Sequence, residues 1–344
     1  MTQQLDELSQ QAVYFHYETM ERLGLLAESS VRLEAKVERV LHFLEDGRYV
    51  IEGPTPAVAD QQPEPGEPPF KGMQYFEEAD APLFFGRELL AARLVNLLAE
   101  HPLLAVTGAS GSGKSSLVRA GVIPALKCGK LLANGTFPPP SAPDWLVLLL
   151  TPTAQPVESL ATCLTQGTDS VRAAVQMADD LKADPLCLEM AARRLVGTAD
   201  SSRKVLLVVD QFEELFTLCH DLAERQAFIN ALLASASRKV ETENAQNTLR
   251  VVITLRADFY AACAQYPGLR EVLSKWQEYI GPMHPQEVRR AIEEPSRQGR
   301  WSFEPGLVEL ILHDVGAEGS HPPEPGALPL LSHALLEAWK HRRG

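Results

Sequence analysis

The sequence GASGSGKS at residues 108–115 fills every fixed position of the pattern G-x-x-x-x-G-K-[ST], which forms phosphate-binding loops. An apolar run at 103–107 (LLAVT) precedes it and predicts a buried strand, and SSLVRAGVIPAL at 115–126 follows it and predicts a helix. Glycines and small side chains let backbone N–H groups curl around phosphate oxygens, and a helix start adds partial positive charge. Strand, loop and helix together predict a nucleoside triphosphate site.

The loop supplies most of the predicted nucleotide contacts. We expect the Lys114 ammonium to reach the outer phosphates as a point charge and the Ser115 hydroxyl to ligate Mg²⁺. The alternative, a Gly/Ser-rich turn with a chance lysine, requires the flanking strand and helix patterns to be accidental. The residues predicted here to bind ATP or ADP are Gly108, Ala109, Ser110, Gly111, Ser112, Gly113, Lys114, Ser115 and Ser116.

Composition narrows the class of protein. Of the 344 residues, 45% are hydrophobic and 22% charged, as in soluble globular proteins, and the net charge of −13 argues against a general nucleic-acid surface. The five cysteines include no C-x-x-C pair and suit reduced thiols. No apolar run approaches about 18 residues, and the polar N-terminus is not a secretory signal. We therefore expect a cytoplasmic protein without a membrane span.

The first 72 residues predict two different segments. Apolar residues spaced three and four apart run through residues 1–50, which predicts a helical or coiled-coil segment. This segment is either a self-association or partner-binding module or a helical pair packed on the next domain. Residues 51–72 are dense in Pro, Gly, Glu and Gln, and this composition predicts an extended linker.

From residue 73 the pattern alternates between strands and helices. Apolar strands are predicted at 103–107, 145–150, 205–209 and 249–255, with a last short strand at 278–283. Helices are predicted at 89–100, over most of 153–199, and at 286–298, 305–315 and 330–342. Continuous apolar strands between helices indicate an α/β fold with a parallel sheet covered on both faces. We divide this part into an NTPase domain, 73–284, and a helical domain, 285–344.

Acidic residues follow the strand at 205–209. Asp210 stands at the carboxyl end of that strand, where open α/β sheets bind ligands, and we expect it to hold Mg²⁺ together with Ser115. Glu213 and Glu214 follow within one turn, and one of them is expected to polarise the attacking water as general base. For an isolated strand-end aspartate the alternative is a turn residue, but the phosphate loop upstream favours the metal site.

Two further positions are candidates for nucleotide contacts. Arg256 ends the strand at 249–255, where it is expected to contact the γ-phosphate; the alternative is a surface salt bridge to Asp258 or a nearby glutamate. Phe85, Gly86 and Arg87 lie just before the helix at 89–100 and are expected to pack against the nucleotide base; the alternative is a glycine turn before a helix.

The ordered set of motifs resembles the STAND class of P-loop NTPases, which is related to AAA+ and NACHT proteins, and within it the bacterial "novel STAND" domains. The resemblance covers about residues 70–344. It rests on GRE at 86–88, the phosphate loop, VLLVVDQFEEL at 205–215, VVITLRADF at 251–259 and GALPLLSHAL at 326–335.

The resemblance implies a five-stranded parallel sheet with a helical lid at 285–344. It implies that Asp210 binds Mg²⁺, that Glu213 and Glu214 match a displaced acidic pair with Glu214 favoured as the base, and that Arg256 senses the γ-phosphate. It also implies that Pro329 touches the nucleotide from the lid. Family members continue into a winged-helix domain and a sensor array. Since this chain ends at Gly344, we expect it to stop before those parts and to expose Leu331, Leu335 and Leu336.

The implied function is an ATP-binding, slowly hydrolysing signalling switch that controls oligomerisation in bacterial signalling or defence. The alternatives are an AAA+-like nucleic-acid remodelling ATPase and an oligomerisation scaffold that a bound nucleotide stabilises. Expected partners are nucleotide, further copies of the chain and a protein bound through the N-terminal helices. Neither nucleic acid nor membrane is expected.

Overall fold

The computed structural model describes residues 51–52, 68–166, 171–197, 202–237, 247–317 and 326–340. The predicted segment 1–50 and most of the predicted linker 51–72 lie outside the described residues. The chain divides into two compact units, Tyr75–Met283 and a second unit made of the residues before and after it. The phosphate loop, Asp210, Arg256 and the acidic pair all belong to the Tyr75–Met283 unit.

Parallel strands form the centre of the Tyr75–Met283 unit. The described strands of the chain are β1 (Ile51–Glu52), β2 (Leu103–Gly108), β3 (Leu146–Leu150), β4 (Val205–Val209), β5 (Leu249–Arg256), β6 (Gln277–Ile280) and β7 (Ser302–Phe303). The sheet of this unit has the order β3-β4-β5-β2-β6, and every neighbouring pair is parallel, which confirms the predicted five-stranded parallel sheet.

Helices connect the strands and cover the sheet. The described helices of this unit are α1 (Glu88–Glu100), α2 (114–127), α3 (Pro156–Leu164), α4 (Val171–Ala183), α5 (Cys187–Val196), α6 (Glu214–Thr217), α7 (Leu222–Ser237), α8 (Tyr260–Ala264) and α9 (Pro267–Lys275). Helix α2 follows the phosphate loop and contains a π-helical segment, Leu117–Val122, between two α-helical segments. Pro124 lies two residues after the end of that segment. Because its ring clashes with the carbonyl four residues earlier, a wider turn there relieves the conflict.

Two apolar cores lie on the two faces of the sheet. Side chains alternate between them along each central strand, as a period of two requires: Leu103 and Ala105 belong to one core, and Leu104 and Val106 to the other. Helices α1 and α2 cover one face, and α3, α4, α5, α7 and α9 cover the other. Burial on both faces explains why β4 is entirely apolar and why β2 and β5 are mostly apolar. Arg250 and Thr254 of β5 are buried polar exceptions.

The edge strands depart from the sequence prediction. Residues 145–150 were expected to form a buried strand, but β3 begins at Leu146, lies at the edge of the sheet and leaves Leu149 37% exposed. At the other edge, β6 covers Gln277–Ile280 and not 278–283. Edge strands lack a neighbour on one side, so apolar content alone does not reveal how deeply they are buried.

The second unit is mostly helical, as predicted for its C-terminal part. It contains α10 (Pro285–Gln298), α11 (Leu307–Asp314) and α12 (Ala327–Lys340), and its short strands β1 and β7 pair antiparallel. The expectation that the apolar residues of the last helix are exposed is wrong, because Leu331 and Leu335 are 5% and 3% exposed. Leu336 packs close to Gly72, where an added Cβ would lie 2.8 Å from its Cδ2. In the described parts of both units, no helix is long and apolar enough to cross a membrane.

Candidate nucleotide-binding site

The sheet brings the predicted site residues to one edge. Parallel strands point their carboxyl ends in the same direction, and Gly108 at the end of β2 pairs in register with Arg256 of β5 and Ile280 of β6. Asp210 follows Val209, which pairs with Ile253, so it lies beside Thr254. The phosphate loop, the strand-end aspartate and the strand-end arginine are therefore neighbours in space.

Gly108 and Gly113 show why the backbone of the phosphate loop needs glycine. Gly113 has φ +85°, a left-handed conformation that side chains disfavour, and it stands directly before α2. An added Cβ on Gly108 would lie 2.8 Å from the carbonyl oxygen of Ile280 and 3.0 Å from the Ser112 hydroxyl. Close packing of β2, β6 and the loop thus excludes larger residues at the point where the chain leaves the sheet.

Lys114 is held inside the loop. Its ammonium donates hydrogen bonds to the carbonyl oxygens of Gly108 (3.1 Å) and Ala109 (2.7 Å), and the residue is 8% exposed. Burial lowers the pKa of Lys114, while the charge of Glu213 opposes this shift more strongly than any other carboxylate does. The Lys114 ammonium is therefore shielded from water, and among the carboxylates Glu213 does most to favour its charged form.

One polar atom of the loop lacks a protein partner. The Ser112 hydroxyl oxygen is buried, and no described residue forms a hydrogen bond with it. Buried hydroxyls are normally paired, so an unpaired one in a glycine-rich loop fits a site for an oxygen-rich ligand. Together with the Lys114 ammonium and the first N–H groups of α2, it provides donors that suit phosphate oxygens.

Asp210 and Ser115 lie in direct contact. The Asp210 carboxylate is buried, and its Oδ1 accepts hydrogen bonds from Ser115 Oγ (2.8 Å), Thr254 Oγ1 (2.6 Å) and the backbone N–H of Gln211 (3.1 Å). A serine hydroxyl beside a carboxylate is a donor set that suits Mg²⁺, which prefers oxygen ligands. The residues present therefore fit the metal that the sequence predicted.

The two glutamates have different surroundings. Glu213 Oε2 accepts a hydrogen bond from the backbone N–H of Arg256 (3.2 Å), which ties the acidic segment to the end of β5. Glu214 is the first residue of α6, and burial, followed by the charges of Glu213 and Asp210, raises the pKa of its carboxyl group. A raised pKa brings a carboxylate closer to the basicity that a general base needs.

Arg256 forms a salt bridge with Asp258, which the sequence analysis gave as the alternative to a γ-phosphate contact. Its Nη2 lies 2.6 Å from Asp258 Oδ2 and its Nε 3.1 Å from Oδ1, so the pair is bidentate. The Arg256 side chain is 40% exposed. Arg256 pairs in register with Gly108, the first residue of the phosphate loop, so this ion pair lies near the loop.

The other predicted contacts have structural partners. Arg87 is buried and donates a hydrogen bond to the carbonyl oxygen of Gly281 (2.7 Å), while Gly86 has φ +91° and Phe85 is half-buried. Ser116 accepts a hydrogen bond from the backbone N–H of Phe76 (3.1 Å), so its side chain faces the start of the unit. Pro329 lies in α12 of the second unit, and its contact with a nucleotide stays a prediction.

A family model described as Novel STAND NTPase 1 matches residues 69–344. The chain belongs to this family. It is therefore a nucleotide-binding P-loop NTPase, as the motifs and the sheet indicated. A comparison with curated protein sequences finds no match.

Solved structures resemble this STAND NTPase only distantly. The Walker-type ATPase PABY2304 of Pyrococcus abyssi is 12% identical, with 65% of this chain and 60% of that chain covered and a TM-score of 0.40. The Aeropyrum pernix ORC1 protein, solved in complex with DNA, is 15% identical, with coverages of 72% and 58% and a TM-score of 0.43. A chain of the HORMA:CdnC:Trip13 complex of E. coli MS115-1 is 15% identical, with coverages of 71% and 78% and a TM-score of 0.40. The STAND NTPase thus spans less than two thirds of the first two proteins.

Sequence reasoning missed Arg119, which the structure of the STAND NTPase places beside Asp210. Its Nε and Nη2 lie 3.0 and 2.9 Å from Asp210 Oδ2, and its Nη1 donates hydrogen bonds to both carboxylate oxygens of Glu77 (3.0 and 3.1 Å). Burial opposes the charged form, but the hydrogen bonds and charges of Glu77 and Asp210 raise the pKa of Arg119. The available signal was a single charged residue within the apolar stretch LVRAGV at 117–122.

Proposed function

We propose that this STAND NTPase is an ATP-controlled switch that hydrolyses ATP slowly and whose self-association follows the bound nucleotide. The observation that carries the proposal is the state of three groups expected to meet phosphate and metal. Lys114 is bonded to loop carbonyls, Ser115 to Asp210, and Arg256 to Asp258. Triphosphate binding would replace each of these protein contacts with a contact to the ligand. The carboxyl edge of the sheet would then have two arrangements, one with triphosphate bound and one without it.

Hydrolysis in this proposal depends on the residues around the loop. Lys114 and the N–H groups at the start of α2 would hold the phosphates, and Ser115 and Asp210 would hold Mg²⁺. The metal would neutralise charge that develops on the phosphate oxygens. Glu214 would accept the proton of the attacking water, since its raised pKa suits a base. Arg256 would leave Asp258 to contact the γ-phosphate, so its position would report which nucleotide is bound.

The switch is tested by the mass of the particle in solution. Light scattering of the full chain with Mg²⁺ and ATP is expected to give a larger mass than with Mg²⁺ and ADP. A non-hydrolysable ATP analogue should hold the larger state, because no turnover resets it. The same mass with all three nucleotides would contradict the switch and favour a nucleotide-stabilised scaffold, and stimulation of ATP hydrolysis by DNA would favour a nucleic-acid remodeller.

Arg256 and Asp258 give a matched pair of variants for nucleotide discrimination. Arg256→Ala is expected to reduce the preference for ATP over ADP by about ten- to a hundred-fold, because a charge-assisted hydrogen bond is worth roughly 1.5–3 kcal/mol. Asp258→Asn should increase the preference, because it weakens the competing ion pair. Titration calorimetry with both nucleotides measures the ratio. An equal loss for ATP and ADP in Arg256→Ala would show that the arginine only stabilises the fold.

A further inference from the structure

Residues 75–83, which open the Tyr75–Met283 unit, lie against helix α2. The Phe76 backbone N–H donates a hydrogen bond to Ser116 Oγ, and the Phe76 ring packs 5.8 Å from the Phe84 ring. The Tyr75 ring stacks under the Arg119 guanidinium at 4.3 Å. This segment therefore contacts the phosphate-loop helix on the side that carries Arg119.

Two glutamates of this segment form ion pairs with α2, one after the other. Glu77 pairs with Arg119, and Glu78 pairs with Lys127 (2.7 Å), which is the last residue of α2. The first pair leads to the metal site, because Arg119 also binds Asp210, whereas the second lies on the surface. The side chain of Arg119 is 8% exposed and that of Asp210 is 2% exposed, so water screens their interaction little.

Charge balance links Glu77 to Asp210. Arg119 shares its single positive charge between two carboxylates, and Glu77, Arg119 and Asp210 together carry one net negative charge. If Glu77 were neutral, the guanidinium would serve Asp210 alone and the three groups would sum to zero. Asp210 Oδ1 would then attract a divalent cation less strongly, because the local field of the site is less negative.

We propose that Glu77 is a positioning residue of the Mg²⁺ site that acts through Arg119. Its ion pair with the guanidinium offsets part of the positive charge beside Asp210, and Asp210 therefore remains able to bind the cation. This inference rests on the proposed function, since it takes Ser115 and Asp210 as the metal-binding pair. It implies that a rearrangement of residues 75–77 changes the affinity for Mg²⁺, although these residues do not themselves contact the nucleotide.

The variants Glu77→Gln and Glu78→Gln test this inference, because each removes one negative charge from the same segment and keeps the side-chain shape. Binding of labelled ADP to the full chain is measured while MgCl₂ is raised stepwise. We expect Glu77→Gln to raise the Mg²⁺ concentration that gives half of the maximal change in ADP binding by about tenfold. This is the lower end of the loss in metal affinity that follows when a metal ligand loses a hydrogen-bonding partner. Glu78→Gln is expected to leave it unchanged, and ADP binding in EDTA should be the same for both variants.

Thermal unfolding gives a second readout that does not depend on hydrolysis. With saturating ADP, a given rise in Tm should require about tenfold more Mg²⁺ in Glu77→Gln than in the wild type, because a bound ligand stabilises the folded state by RT ln(1 + [L]/Kd) and a tenfold larger Kd needs tenfold more ligand. Equal Mg²⁺ responses of Glu77→Gln and Glu78→Gln would overturn the role of Glu77 while leaving the proposed function intact. A wild-type chain whose ADP binding ignores Mg²⁺ would overturn both.

Discussion

Lys114→Met is expected to weaken ATP binding strongly and to leave the fold about as stable as in the wild type. The ammonium is buried among backbone carbonyls at the centre of the loop, where phosphate charge would lie. Removing one partner of a buried, charged hydrogen bond costs about 2–5 kcal/mol, which is roughly 30- to several thousand-fold in affinity. Methionine fills the volume of the lysine stem without its charge.

The stability half of this prediction follows from the direction of the pKa shift. Burial lowers the pKa of Lys114 below its unfolded value, so the folded state carries a free-energy cost for the charged form at neutral pH. Methionine does not have this cost, but it leaves the carbonyl oxygens of Gly108 and Ala109 without their donor. Because these two effects oppose each other, the Tm without nucleotide should change little.

Lys127→Met is the matched control for Lys114→Met, because Lys127 lies on the same helix but pairs with Glu78 at the surface. Calorimetric titration with ATP and Mg²⁺, combined with thermal unfolding followed by circular dichroism, measures both quantities for the two variants. If Lys114→Met bound ATP with wild-type affinity, the assignment of the phosphate loop to the nucleotide site would be wrong. A large fall in Tm would instead show that the lysine mainly holds the loop together.

The central strands could be predicted from the sequence nearly to the residue. The strand at 205–209 was predicted with the bounds that β4 has, and β2 and β5 each extend one residue beyond their predicted ends. These strands are buried on both faces, so their sequences are mostly apolar, and the uninterrupted apolar strand β4 is the one predicted with both bounds correct. The strand order could not be predicted in this way, since it depends on how the connecting helices pack and not on local composition.

Prediction was weaker where the signal is not local. β6 is a four-residue edge strand that begins with two polar residues, Gln277 and Glu278, so it lacks the apolar run of the central strands, and its bounds were missed at both ends. The bond between Arg256 and Asp258 was foreseen as an alternative because the two residues are neighbours in the sequence. Arg119 and Glu77 are 42 residues apart, and only the packing of the first segment on α2 brings them together.

Glu214→Gln is expected to slow hydrolysis strongly while ATP still binds. Loss of a general base costs roughly 10²–10⁴-fold in rate, and glutamine keeps the size of the side chain but accepts no proton. Burial and the nearby carboxylates already raise the pKa of Glu214. The acidic limb of the wild-type rate profile should therefore lie at higher pH than for an ordinary glutamate, and the variant should lose this limb.

The same substitution is expected to stabilise the fold, and this distinguishes a functional carboxylate from a structural one. Because the folded-state pKa of Glu214 is raised above the unfolded value, its ionised form costs stability at pH above the folded pKa, and this cost disappears as the pH falls below the unfolded pKa. The Tm of Glu214→Gln should exceed that of the wild type at neutral pH and converge with it in acid.

Glu213→Gln is the matched comparison, because Glu213 accepts a hydrogen bond from the Arg256 backbone and glutamine can still accept it. Single-turnover hydrolysis with excess enzyme separates the chemical step from nucleotide exchange. A slow Glu214→Gln and a nearly normal Glu213→Gln would assign the base to Glu214. The reverse result would move the role to Glu213, whose charge acts most strongly on Lys114, and normal rates in both would mean that the attacking water is activated without a carboxylate.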